Sequence, residues 1–298
     1  MDLVTLSAGE LEATFAPGAG MIGTSLRQRG DELLAQRDGL DAYVAEAKTF
    51  GIPLLHPWAN RLDGPRYAIA NREVELDLDS PLIHLEQNGL PIHGLCSATP
   101  YFDVVDRDAT GLRARLDYAA HDDLLAGFPF PHVLEIDVAL EAEALHHTTT
   151  LRATGDVPVP VAFGYHPYLS LPGVARADFQ VTFPVRRHMV LDARGIPTGA
   201  DEPADIPAGP LGERTYDDGF SELTQPPEFL LEGGGRRIAV RFDQGYPIAQ
   251  VWAPEGKAFI CFEPMTAPTN ALVSHDRMPV VDPGGVYEAR FSVLVTAL

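Results

Sequence analysis

Residues Phe259 to Leu272 read FICFEPMTAPTNAL, an apolar run that carries one carboxylate, Glu263, with Pro264 directly after it. Side chains of a strand alternate between its faces, so Cys261 and Glu263 share one face and Ile260 and Phe262 the other. Proline removes a backbone donor and drives the preceding residue into extended geometry, which predicts a strand ending at the acid. A carboxylate held among apolar residues is partly desolvated. Its pKa rises, and it becomes a better proton acceptor than a surface glutamate.

Two other stretches repeat the device with histidine. In GYHPYL (Gly164 to Leu169) His166 follows an apolar segment and is locked by Pro167, and in NGLPIHGL (Asn88 to Leu95) His93 stands between a proline-bearing turn and Gly94. Imidazole titrates near neutrality and can donate or accept a proton at working pH.

The rest of the chain supplies strands around these stretches. LVTLS and LEATFA near the start read as short strands with a Gly-rich turn after them, and Asp41 to Lys48 as a brief helical turn. GIPLLHPWANRLDG is too rich in Pro, Gly and Asn for regular structure and reads as a site-forming loop. YAIANREVELDL is a hairpin signal, and VLEIDVALEAEALHHTTTLRA alternates with period two, its threonines favouring strand. Asp192 to Gly212 reads as a surface excursion, the glycines at 233 to 235 as a hairpin loop, and EARFSVLVTAL as a final strand. With 26 prolines, 27 glycines and no sustained helical period, the pattern predicts an all-β sandwich formed as one domain over 1–298.

Composition excludes several roles. Asp and Glu total 42 against 22 Lys and Arg, a net charge of −20, so the surface repels nucleic acid and anionic membranes. No apolar run is long enough to span a bilayer, and the start carries Asp2 and Glu10 in place of a basic, apolar leader, so a cytoplasmic protein is expected. Cys96 and Cys261 are expected as small buried thiols, and neither a Cys-x-x-Cys nor a His-Glu-x-x-His spacing marks a metal site.

These segments, together with GIPLLHPWANRLDGPRY (Gly51 to Tyr67), DDGF (Asp217 to Phe220) and AQVWAPEGKAFICFEP (Ala249 to Pro264), resemble the aldose 1-epimerase (mutarotase) family in content and order. The resemblance implies the galactose mutarotase-like supersandwich, a large antiparallel β-sandwich. It also implies interconversion of the α and β anomers of a free aldose, with Glu263 as base and His166 as acid. Opening a hemiacetal needs a base for the C1 hydroxyl and an acid for the ring oxygen, and both groups must work in both directions. No metal or other cofactor is required. For substrate binding the resemblance assigns Arg61 with Asn60 beside it, His93, Asp218 and Gln250. The expected partner is a monosaccharide, bound by a monomer or homodimer. Trp58, Tyr165, Tyr168 and Trp252 could stack on the sugar or belong to the core.

Departures bear on the substrate. Leu95, Cys96 and Ser97 follow His93-Gly94, where galactose-type members continue with glycine and hexose-6-phosphate members carry an arginine. Arg66, Arg186 and Arg187 are the nearby candidates for a phosphate clamp. An epimerase of a phosphorylated hexose or an unusual sugar, and a non-catalytic sugar binder of the same fold, are the competing readings. A glycosidase would more often present two carboxylates.

Overall fold

The computed structural model describes residues 2–298. Alternating apolar residues generate its central layer. In His132–Leu140 the buried set Leu134, Ile136 and Val138 stands opposite Leu116, Ala114 and Leu112 of the neighbouring strand Gly111–Asp117. On the other side it faces Leu151, Thr149 and His147 of Ala144–Ala153. The final strand, Val286–Ala297, adds Phe291, Val293 and Val295 to the same face. These strands form the middle of a nine-stranded sheet that ends at Asp103–Arg107 and Gly209–Pro210. The adjacent His146 and His147 point to opposite faces, His147 into the core and His146 toward Ser292.

An eight-stranded sheet covers that apolar face. Its strand Ile260–Met265 turns Ile260 and Phe262 toward the shared core, where Phe262 meets Phe229 of the nine-stranded sheet with ring centroids 5.3 Å apart. Truncating such a ring to alanine costs about 3–5 kcal/mol, because the sandwich cannot close over the void. The ladders of both large sheets are antiparallel. The architecture is the galactose mutarotase-like β-sandwich that the resemblance implies, and it agrees with the all-β patterning. A four-stranded sheet from the first 32 residues and three two-stranded ribbons complete it, one of them the expected hairpin Arg66–Ile69/Arg72–Glu75. The longest helix is Gly39–Glu46, and no helix among the described residues is long and apolar enough to cross a membrane.

Two expectations need correction. The strand does not end at Glu263 but runs to Met265, because Pro264 stays extended and keeps its register opposite Ala249. Asp192 to Gly212 is not wholly an excursion. Pro197–Pro203 and Gly209–Pro210 form edge strands of the two sheets, where proline's missing donor is tolerated.

Candidate active site

The second face of the eight-stranded sheet carries the polar groups. Cys261, Glu263 and Met265 point away from the core, and Gln250 lies directly opposite Glu263 on the neighbouring strand Ile248–Ala253. His166 reaches the same place from a different part of the chain. Gly164 pairs with Met265 and Tyr168 with Cys261, which leaves His166 midway between, opposite Glu263. His166-Pro167 interrupts the pairing, and Gly164 permits it, since a Cβ there would stand 2.7 Å from the Pro264 carbonyl oxygen. The result is a buried pair with His166 Nε2 3.2 Å from Glu263 Oε1.

Loops close the site from above. Arg61 stands opposite Ile92 in an isolated bridge, and the His93 amide donates to the Asn60 carbonyl at 3.0 Å. Asn60 and His93 both occupy the left-handed region, at φ 57° and 65°. Gly94 follows at φ 75°, so close to the chain that a Cβ would lie 2.2 Å from the His56 carbonyl oxygen. The Asn60 side-chain oxygen accepts from the Arg61 amide and from its Nη1, aiming the guanidinium. Asn270, at the end of the FICFEPMTAPTNAL stretch, accepts from the Asp63 amide and donates its own to the Arg61 carbonyl. One segment therefore holds both the carboxylate and the loop above it.

Together these residues line a cavity of about 400 Å³. Glu263, His166, His93, Asn60 and Arg61 all contribute to its wall. Asp218 does not. It faces the other side of its strand and bonds His188 Nε2 at 2.9 Å, while Asp217 enters the wall. Asp217 Oδ2 pairs with Arg61 Nη2 at 3.1 Å. Gln250 is buried behind the wall, donating to Asp217 Oδ1 at 2.8 Å, so its contact with the cavity is through Asp217. Strand alternation identifies the shift. Phe220 packs in the core, so Asp218 shares its side and Asp217 shares the side of Glu263.

Other contributors to the wall stand in no motif of the sequence. Glu86 lies 3.7 Å from Arg61 Nε, and His84 and Ser97 also line the wall. Arg37 and Thr49 lie at the mouth with Lys48, whose ammonium pairs with Glu46. Of the four aromatic candidates, Tyr168 and Trp252 line the cavity, whereas Trp58 and Tyr165 belong to the core. Both cysteines are free and buried.

Burial controls the electrostatics. It pushes the Glu263 carboxyl well above the usual carboxylate range, reinforced by nearby Asp217 and opposed by Arg61. It drives His166 well below the ordinary imidazole value, with His93 and Arg37 adding to the effect, and lowers His93 to about 3, with Arg61 contributing. Burial therefore favours a neutral carboxyl beside a neutral imidazole. Moving one proton across the 3.2 Å contact converts it to carboxylate and imidazolium without changing the net charge. Glu263 Oε2, His166 Nδ1, His93 Nδ1, Arg61 Nε and Ser97 Oγ are buried without hydrogen-bond partners. Buried polar atoms left open are costly unless a ligand or water completes them.

The fold is that of a mutarotase-like β-sandwich. The chain belongs to the aldose 1-epimerase family, whose model matches residues 2–294. A Synechocystis protein of known structure is 22% identical with a TM-score of 0.81, covering 100% of this chain and 96% of that one. A galactose mutarotase-like protein from Clostridium acetobutylicum (17% identity, TM-score 0.86) covers 99% of this chain and 95% of its own. A GalM/aldose epimerase homologue from C. elegans (17%, 0.78) covers 100% and 99%. At these identities the likeness is one of fold. No curated protein matches the chain.

Proposed function

We propose that the protein is an aldose 1-epimerase acting on a free monosaccharide, with Glu263 and His166 as its acid/base pair. The observation that carries this reading is their buried 3.2 Å contact in the wall of the cavity. In the dipolar form, Glu263 takes the proton of the C1 hydroxyl while His166 gives one to the ring oxygen. The bond from C1 to the ring oxygen breaks, and an open-chain aldehyde forms. Rotation about C1–C2 and the reverse transfers close the other anomer. The pair holds one proton throughout, on His166 beside the ring form and on Glu263 beside the open chain, and the sugar's oxidation state does not change. Arg61, His93 and Asp217 present donors and acceptors to the sugar hydroxyls, in keeping with the fixed fork of a guanidinium.

A free sugar is favoured because the expected phosphate clamps are engaged elsewhere. Arg66 pairs with Glu75, Arg186 with Glu222, and Arg187 bonds the Asp201 carbonyl. None of the three lines the cavity. The test is anomer exchange followed by NMR on a panel of free aldoses and their phosphates. Enzyme-dependent exchange of a free aldose supports the reading. A specificity constant tenfold higher for a phosphate than for its free sugar assigns the protein to phosphosugars, and no exchange on any member points to a binding protein.

A further inference from the structure

His166 has its ring plane set by a neighbour that is itself tied down. Tyr168 lies two residues away, its ring parallel to the imidazole at 11° with centroids 4.4 Å apart. His93 and Trp252 meet the imidazole edge-on, at 5.6 Å each. Tyr168 cannot drift, because its backbone is paired with Cys261 on the strand that carries Glu263. Phe259 packs against its ring at 5.3 Å.

The phenol oxygen is fixed from the mouth of the cavity. Arg37 Nη1 donates to Tyr168 Oη at 3.0 Å, and Thr49 Oγ1 lies 2.5 Å from the same oxygen. Arg37 Nη1 also donates to the Thr49 carbonyl at 2.6 Å, locking the two anchors together. The guanidinium carbon sits 5.1 Å from the Tyr168 ring centroid and 5.7 Å from that of Trp252. Arg37 itself is at φ 46°, a conformation a non-glycine residue keeps only where its surroundings hold it. Unlike Arg61 and Lys48, it makes no ion pair with a carboxylate within 4.0 Å among the described residues. Its bonds go to the tyrosine and the loop.

We infer that Tyr168, anchored through its hydroxyl by Arg37 and Thr49, is a positioning residue that fixes the plane of His166 and hence the line from Nε2 to Glu263. The inference rests on the epimerase reading for its kinetic consequences and on geometry alone for its structural ones. A proton donor must hold its direction through ring opening and closure, and small misplacements of a catalytic group cost large factors in rate. The stack leaves the imidazole edge free for proton transfer while denying the ring rotation about its own axis.

Two variants and two readouts test it. Tyr168→Phe keeps the stack and removes both anchors, and Arg37→Met removes one anchor at the exposed rim, where folding is not at stake. Kinetically, Tyr168→Phe is expected to lower kcat about tenfold with KM changed less than twofold, and Arg37→Met about threefold. In a His166→Asn background Tyr168→Phe should add no further loss, because it acts through His166. Additive losses, or a wild-type kcat in both single variants, overturn the inference. Independently of any substrate, the imidazole nitrogen resonances of His166 should broaden or shift in both variants of the free protein, with those of core His147 unchanged. Unchanged His166 resonances overturn the inference even if no sugar is turned over.

Discussion

Gln250 Nε2 donates to Asp217 Oδ1 at 2.8 Å, and Asp217 Oδ2 accepts from Arg61 Nη2 at 3.1 Å. The buried amide thus holds the carboxylate that aims the arginine. Asp217→Asn is expected to lower kcat/KM by about 10–100-fold, chiefly through KM, in line with hydrogen bonds to charged groups of about 1.5–3 kcal/mol. Asp218→Asn, on the opposite face, should stay within about twofold. Steady-state kinetics of the two variants decide it. A large loss in Asp218→Asn alone would restore the assignment that the sequence suggested.

That reversal shows what could be read from the chain. Glu263, His166 and His93 were legible because proline or glycine beside a titratable residue marks a backbone held in one shape. The sandwich was legible because alternation runs through Val133 to Leu140 and through the last strand. Asp217 and Asp218 are adjacent in DDGF, and a motif match does not choose between them. Only the phase of alternation from Phe220 does. Arg37, Thr49 and Glu86 sit in connecting segments without a pattern, and they meet the site through contacts distant in sequence, such as Arg37 with Tyr168. Pro197–Pro203 was hidden because proline-rich edge strands lack the alternating signature of central ones.

Activity should depend on pH through the pair's proton count. The working state holds one proton, and burial opposes both a second proton and the loss of the first. His166 is depressed well below its ordinary value and Glu263 raised well above its own. The acid limb of kcat/KM is therefore expected well below about pH 6.5, and the alkaline limb well above about pH 4.5. An acid limb centred at 6.5 would mean an ordinary, solvated imidazole.

The core histidine His147 links folding to pH. It stacks on Phe291 with centroids 4.7 Å apart, neither ring nitrogen has a partner, and burial, aided by His146, lowers its pKa to about 3. The unfolded chain takes up this proton near pH 6.5 while the folded protein refuses it. Its contribution is complete above about 6.5 and falls as pH drops toward 3. At pH 5 the loss is about 2 kcal/mol. His147→Phe should gain that amount relative to wild type between pH 7.5 and 5.0 in urea unfolding. A difference independent of pH contradicts the burial argument.

Gly94→Ala tests the loop that carries His93. The added methyl would meet the His56 carbonyl at 2.2 Å in a left-handed conformation. A loss of about 2 kcal/mol or more in stability is expected, with weakened sugar binding, since strain and overpacking combine. Thermal unfolding and KM measured together check it, and a wild-type Tm would show the loop to be yielding.

The central claim is that Glu263 and His166 exchange protons with the sugar. The most direct measurement is enzyme-dependent anomer exchange by NMR magnetisation transfer, comparing wild type with Glu263→Gln and His166→Asn at neutral pH. Each variant should fold normally and lose roughly 10²-fold or more in exchange rate, the scale of positioned acid/base catalysis, while sugar still binds. Exchange at the wild-type rate in Glu263→Gln would contradict the account, leaving the carboxylate a structural part of the cavity wall.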